Sequence, residues 1–115
     1  MEYGRLNVSR IREKVADIKE YFQVLKEYTN QGENEFLSNK EVIRSARYAF
    51  IVMIEASSNI ANHLCARLLN SSPNSYAESF FLLSNNEIIS TDLSSQLGKM
   101  AGFRNLLVHG YGKGG

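Results

Sequence analysis

The sequence predicts an all-α fold, a bundle of about four helices, and three observations support this prediction. Apolar residues recur at alternating spacings of three and four near the start of the chain, which is the period of an amphipathic helix. A long stretch without a helix breaker follows, and the 115 residues include one Pro. A chain of this length fits one domain, so we expect residues 1–115 to form a single unit.

The first helix is expected from Ser9 to Asn30, where the pair Gln31 and Gly32 ends it. Charged residues of both signs lie off its apolar seam, which is typical of a solvated surface. The seam consists of Val8, Ile11, Val15, Ile18, Phe22 and Leu25.

The second helix is expected from Ser38 to Leu69 and is the longest element of the predicted bundle. Ser38 and Glu41 have the spacing of a capping box, in which each side chain satisfies a backbone donor at the helix start. The turn from Asn70 to Asn74, which contains Pro73, ends this helix. Its predicted buried stripe consists of Val42, Ala46, Ala49, Met53, Ala56, Ile60, Leu64 and Leu68.

Two further helices are expected after this turn. Ser75 and Glu78 form a second capping box, and Ser90 or Thr91 caps the last helix. The last helix contains two glycines four residues apart, Gly98 and Gly102, each of which lowers helix propensity. They predict either the close approach of another helix backbone or tolerated surface glycines. The apolar residues of this helix are Leu93, Leu97, Met100, Phe103 and Leu107.

The composition excludes several classes of protein. The formal net charge of +1 argues against a uniformly basic nucleic-acid binder, so an RNA contact would need a local basic patch, and the chain after Asp92 has basic residues and no carboxylate. The single cysteine, Cys65, cannot form an intrachain disulfide and is expected in a helix interior. We see neither a signal peptide nor a membrane span, so we expect a cytoplasmic protein with no membrane contact.

One short segment near the end of the chain concentrates the residues that could perform chemistry. Arg104 and His109 enclose four residues, Asn105 follows the arginine, and Tyr111 lies two positions after the histidine. The pattern Arg-Asn-x-x-x-His resembles the signature of the HEPN superfamily. With Tyr111 it resembles the HepT toxins that are paired with MntA nucleotidyltransferase antitoxins. Further resemblances lie in the segments 54–56, 60–64, 73–76 and 102–105.

This resemblance, which covers about residues 9–111, implies an antiparallel helical bundle that forms a homodimer, with a composite active site in the cleft between the two copies. It implies a ribonuclease for which tRNA is a candidate target, and no cofactor. It also implies a cognate MntA-like nucleotidyltransferase antitoxin that transfers AMP to Tyr111. Members usually continue into a further C-terminal helix, so we expect a shortened form of the domain.

The residues themselves agree with this chemistry. Attack of an RNA 2′-hydroxyl on its own phosphate needs a base, an acid and a cation but no metal ion. His109 could be the acid or base, Arg104 could bind the phosphate, and Asn105 could position them. One chain has no credible second histidine beside the motif, so a two-fold dimer would supply both proton-transfer groups. The alternative is structural: an exposed Arg104, and His109 as a favourable cation at a helix end capped by Gly110.

Other polar residues on the long helix allow two interpretations. Glu55, Asn59 and Asn62 either line the cleft and orient the catalytic pair or are solvent-exposed. His63 is expected to be a hydrogen-bonded packing or interface residue, and with Cys65 its only close potential ligand we expect no metal site. Two alternatives to a nuclease remain at this stage. One is a non-catalytic helical module that binds a nucleotidyltransferase partner or a nucleotide, and the other is a purely structural dimerisation bundle.

Overall fold

The computed structural model describes residues 6–110, and within that range the chain forms an antiparallel bundle of five helices without a strand. The helices are α1 (Val8–Thr29), α2 (Glu33–Leu37), α3 (Lys40–Leu68), α4 (Tyr76–Asn85) and α5 (Thr91–His109). Helix α3 is the central element, because it packs against each of the other four helices. None of the helices in this range is long and apolar enough to cross a membrane.

Side-chain caps set the starts of the helices. Ser75 Oγ accepts a hydrogen bond from the Glu78 N–H at 3.1 Å, and Ser90 Oγ accepts one from the Leu93 N–H at 3.0 Å. Both sequence-predicted caps are therefore confirmed, and each stabilises its helix by about 1 kcal/mol. The predicted cap at Ser38 is wrong by one residue, since Asn39 Oδ1 accepts from the N–H groups of Glu41 and Val42.

Ser38 does not start α3 because it ends α2, a short helix that the sequence analysis did not predict. Its Oγ donates a hydrogen bond to the Glu35 carbonyl at 3.0 Å. The turn before α2 needs Gly32, whose φ of 90° lies in the left-handed region that other residues rarely adopt. The connection between the two long helices is therefore helical at Glu33–Leu37, a segment for which the sequence analysis named no element.

The core lies mainly on the side of α3 that faces α4 and α5. Its buried members are Ile54, Ala61, Cys65, Phe80, Leu83 and Ala101. The predicted stripe on α3 is right for Ala49, Met53 and Ala56, but its other members are only partly buried. A single stripe is too narrow a prediction because α3 is covered by α1 as well as by α4 and α5. The interior position predicted for Cys65 is confirmed.

Helix α1 buries less than its seam predicts. None of its residues is fully buried, and Val8 and Phe22 are 48% and 52% exposed. It packs mainly against α3, with a smaller contact to α2, so one side of the helix is covered and the rest faces outward. In α5 the deepest residue is Ala101, whereas the predicted apolar residues Leu93 and Phe103 are 44% and 51% exposed.

Candidate active site

Arg104 points inward from α5 toward α3 and α4. Its side chain is 16% exposed, and its Nη2 donates a hydrogen bond to Glu55 Oε2 at 2.7 Å. The Glu55 side chain is 45% exposed, so this ion pair lies at the rim of the bundle with one partner open to solvent. A charge-assisted bond of this length fixes the direction of the guanidinium. Of the three residues predicted to line the cleft, Glu55 therefore contacts Arg104 directly.

Two more groups hold the same guanidinium. Nη1 donates to Asn105 Oδ1 at 3.2 Å, and Cζ lies 5.1 Å from the centre of the Tyr76 ring, within the range of a cation–π contact. Nε is buried and has no hydrogen-bond partner among the residues that the structure describes. Arg104 is therefore a positioned cation, unlike the freely exposed arginine of the structural alternative.

Sequence reasoning missed the role of Tyr76, to which it assigned no contact with the site. The ring lies in the first turn of α4, directly after the Ser75 cap, so the start of that helix places it under Arg104. The only signal available was that the segment 73–76 formed part of the family resemblance. Nothing in the spacing between Tyr76 and Arg104 could have shown the contact.

His109 is the last residue of α5 and its side chain is exposed. It lines a shallow cavity of about 260 Å³ together with Gly102, Asn105, Leu106 and Gly110. Within residues 6–110 its imidazole has no hydrogen-bond partner, so both ring nitrogens are available to an external ligand. Asn105 links the two predicted catalytic residues, since it accepts from Arg104 and shares the cavity with His109.

The remaining residues of the polar line on α3 have different surroundings. Asn59 Oδ1 accepts a hydrogen bond from Arg10 Nε at 3.1 Å, which ties α1 to α3. Asn62 is exposed, as the solvent interpretation expects. Arg10 is a second residue that sequence reasoning missed, because its charge fitted the solvated face of an amphipathic helix.

His63 is hydrogen-bonded and partly buried, as expected. Its Nε2 accepts from the backbone N–H of Asn7, the N-cap residue of α1, at 2.9 Å. Desolvation lowers the pKa of His63, and the positive charges of Arg67 and Arg10 lower it further. The residue is therefore held neutral as an acceptor at the start of α1, away from the Arg104 and His109 cluster.

Two other expectations concern Tyr111 and the glycines of α5. Tyr111 lies outside the residues that the structure describes. A Cβ added at Gly98 or Gly102 would have no atom within 4 Å, so no other helix among residues 6–110 packs against the side-chain position of either glycine. Among the same residues, both positions and the exposed side chains of Phe103, Leu106 and Val108 leave much of the outer surface of α5 uncovered.

The arrangement can bind an anion and transfer one proton. Arg104 supplies a fixed positive charge, Asn105 supplies an amide, and His109 supplies an imidazole that can accept or donate a proton. Among residues 6–110, no three His, Cys, Asp or Glu side chains come together as ligands for a metal ion. One described chain offers a single imidazole to this cluster, which is one proton-transfer group fewer than general acid–base cleavage of a phosphodiester uses.

Comparison with known proteins identifies the family of this arrangement. A profile described as "Ribonuclease HepT-like" matches residues 18–113. The mRNA nuclease HepT of Shewanella oneidensis is 33% identical over 101 residues, which cover 85% of this chain and 73% of that protein. The tRNA nuclease HepT of Aphanizomenon flos-aquae is 26% identical over 101 residues, covering 88% of this chain and 69% of that protein.

A solved structure shows the same fold. It is a tri-AMPylated Shewanella oneidensis HEPN toxin in complex with an MNT antitoxin, and it superimposes with a TM-score of 0.82 at 32% sequence identity. The similarity covers 89% of this chain and 76% of that one. The region matched by the family profile includes the whole of α3, α4 and α5, and with them Arg104 and its contacts.

Proposed function

Since the chain belongs to the ribonuclease HepT-like family, we propose that it is a toxin that cleaves RNA without a metal ion and is neutralised by a nucleotidyltransferase antitoxin. One observation carries the catalytic part of this proposal. Arg104 is fixed by Glu55, Asn105 and Tyr76, while His109 lies exposed in the cavity that Asn105 also lines. A positioned cation beside an exposed imidazole suits a phosphodiester substrate.

The proposed reaction is an internal transfer. The imidazole of His109 in one copy of the chain removes the proton of the 2′-hydroxyl, and the 2′-oxygen attacks the adjacent phosphorus. Arg104 stabilises the negative charge that accumulates on the two non-bridging oxygens. The bond from phosphorus to the 5′-oxygen breaks, a protonated imidazole donates a proton to that oxygen, and the products are a 2′,3′-cyclic phosphate and a 5′-hydroxyl.

A homodimer completes this proposal, because the second imidazole must come from another copy of the chain. We place the interface on the C-terminal part of α3 and on the segment from Gly98 to His109. Three exposed apolar residues of α5 support this placement, Phe103 at 51%, Leu106 at 64% and Val108 at 41%. Gly98 and Gly102 support it too, since the space beside each is empty in the single chain and would admit a partner helix.

Control by the antitoxin is assigned to Tyr111. The similar Shewanella toxin is AMPylated and bound to an MNT antitoxin, and Tyr111 is the tyrosine two residues after His109 in this chain. A phosphodiester attached there would carry negative charge seven residues after Arg104. It would compete with an RNA phosphate for that arginine. Glu55 acts as a positioning residue, because its carboxylate accepts a hydrogen bond from the guanidinium of Arg104. The RNA target is an mRNA or a tRNA, as the names of the two relatives suggest.

The test is cleavage of RNA by purified protein in excess EDTA. The wild type should cleave, and His109→Ala should lose cleavage. The chain has two histidines, so His63→Gln is a matched control that removes the other imidazole and should retain activity. Cleavage that EDTA abolishes would contradict the metal-independent mechanism. No cleavage by the wild type under either condition, or equal cleavage by His109→Ala and wild type, would leave the non-catalytic module that binds a nucleotidyltransferase or nucleotide as the better account.

A further inference from the structure

A second cavity lies in the groove between α1 and α3, and Glu55 is one of its lining residues. Its volume is about 230 Å³, which exceeds the volume of a single nucleobase and is smaller than a typical pocket for a larger ligand. Its lining residues are Lys14, Asp17, Val52, Glu55, Ala56 and Asn59. Glu55 joins this cavity to the active site, because its Oε2 is the atom bound to Arg104.

Two of the four polar side chains of this cavity are paired, Glu55 with Arg104 and Asn59 with Arg10. Lys14 and Asp17 are partly buried, and neither forms a hydrogen bond or salt bridge within the described part of the chain. Arg10 uses Asn59 Oδ1, which leaves the Asn59 amide hydrogens as donors. Lys14, Asp17 and Asn59 therefore offer a cation, a carboxylate and an amide to a ligand in this cavity.

We propose that this cavity binds a guanine base of the RNA, next to the nucleotide whose phosphate contacts Arg104. The base would lie over the apolar floor made by Val52 and Ala56, with its edge toward Asp17 and Lys14. The inference deepens the proposed ribonuclease function and rests on it for the identity of the ligand as part of an RNA.

The chemistry of the bases selects guanine. Its Watson–Crick edge carries two adjacent N–H donors, N1 and N2, which can give one carboxylate two parallel hydrogen bonds, and Asp17 offers that carboxylate. The neighbouring O6 accepts from an ammonium or amide, which Lys14 and Asn59 supply. Adenine and cytosine each place a ring-nitrogen acceptor beside the amino group, and uracil has one donor between two carbonyls. Each of these bases would therefore place an acceptor lone pair against the carboxylate, which is repulsive.

The experiment is an NMR titration of the ¹⁵N-labelled full chain with the four nucleoside 3′-monophosphates. These contain no phosphodiester, so binding is measured apart from cleavage. We expect guanosine 3′-monophosphate to bind about ten-fold more tightly than the other three, which corresponds to one good bidentate contact. The amide signals of Lys14, Asp17, Glu55 and Asn59 should move most.

Asp17→Asn tests the assignment, because it replaces one carboxylate oxygen by a donor and should remove the preference for guanine. Glu13→Gln is the matched control, since it makes the same charge change at an exposed position on the same helix and should keep the preference. Equal affinity for the four nucleotides, no binding, or a preference that survives Asp17→Asn would overturn the inference. An Asp17-dependent preference for guanine in a protein that fails to cleave RNA would instead contradict the proposed function and leave the pocket standing.

Discussion

Replacing Arg104 with alanine should destabilise the protein as well as inactivate it, and the structure sets the size of the effect. The bond to Glu55 is 2.7 Å long, but Glu55 is 45% exposed, so its contribution falls near the upper end for surface pairs, about 1 kcal/mol. The contact with Tyr76 adds about 0.5–1 kcal/mol, and the buried methylenes of Arg104 add about 1 kcal/mol. We therefore expect the free energy of unfolding to fall by about 2–3 kcal/mol.

Urea unfolding followed by circular dichroism measures this change, and a double-mutant cycle with Glu55→Gln isolates the ion pair. The coupling between Arg104→Ala and Glu55→Gln should be about 1 kcal/mol. His109→Ala is the control, because His109 is exposed and forms no hydrogen bond among residues 6–110, so its replacement should change the free energy of unfolding by less than about 0.5 kcal/mol. If Arg104→Ala were as mild as His109→Ala and the coupling were zero, the arginine would not be held as described.

Three further predictions concern other parts of the chain. The pKa of His63 is lowered in the folded state, so the free energy of unfolding should be greatest above the ordinary histidine pKa near 6.5 and should fall as the pH drops through the folded-state pKa. Urea midpoints between pH 7.5 and 5 measure this change. A His63→Gln variant with the same pH dependence as the wild type would contradict the prediction. Co-expression with a cognate nucleotidyltransferase should add AMP to Tyr111, detected by mass spectrometry, and AMP elsewhere or on Tyr111→Phe protein would refute that assignment. Light scattering should give twice the mass of one chain, and Gly102→Arg should shift the protein toward monomer; a wild-type monomer at micromolar concentration would exclude the composite site.

The local features of the fold were predictable because their signals are local. Ser75 and Ser90 cap helices through contacts three residues away, so their positions in the sequence suffice to predict them. The cap of α3 was misplaced because Ser38 and Asn39 are both good capping residues. The choice between them depends on α2, and five residues are too few to show a helical period.

The candidate site was predictable in its residues but not in its contacts. The spacing of five residues along α5 implies that Arg104 and His109 point in different directions. In the structure Arg104 faces α3 and His109 is exposed. The partners of Arg104 depend on how α5 is rotated against α3 and α4. Glu55 is 49 residues away in sequence, so only the packed bundle brings its carboxylate to the guanidinium.

The same reason explains why Glu55, Asn59 and Asn62 proved unlike one another. Their spacing puts them near one side of α3, yet α5 reaches Glu55, α1 reaches Asn59, and Asn62 remains exposed. A polar line on a helix thus identifies candidates, and the neighbouring helices decide the role of each one.

Analysis of the RNA ends left by cleavage tests the central claim most directly. A short RNA with one preferred site is incubated with the protein in EDTA, beside a matched RNA that carries a 2′-deoxynucleotide at that site. Attack by the 2′-hydroxyl, assisted by His109 and Arg104, predicts a 2′,3′-cyclic phosphate, a 5′-hydroxyl end and no cleavage of the deoxy substrate. A 5′-phosphate end, or cleavage of the deoxy substrate, would contradict the proposed mechanism.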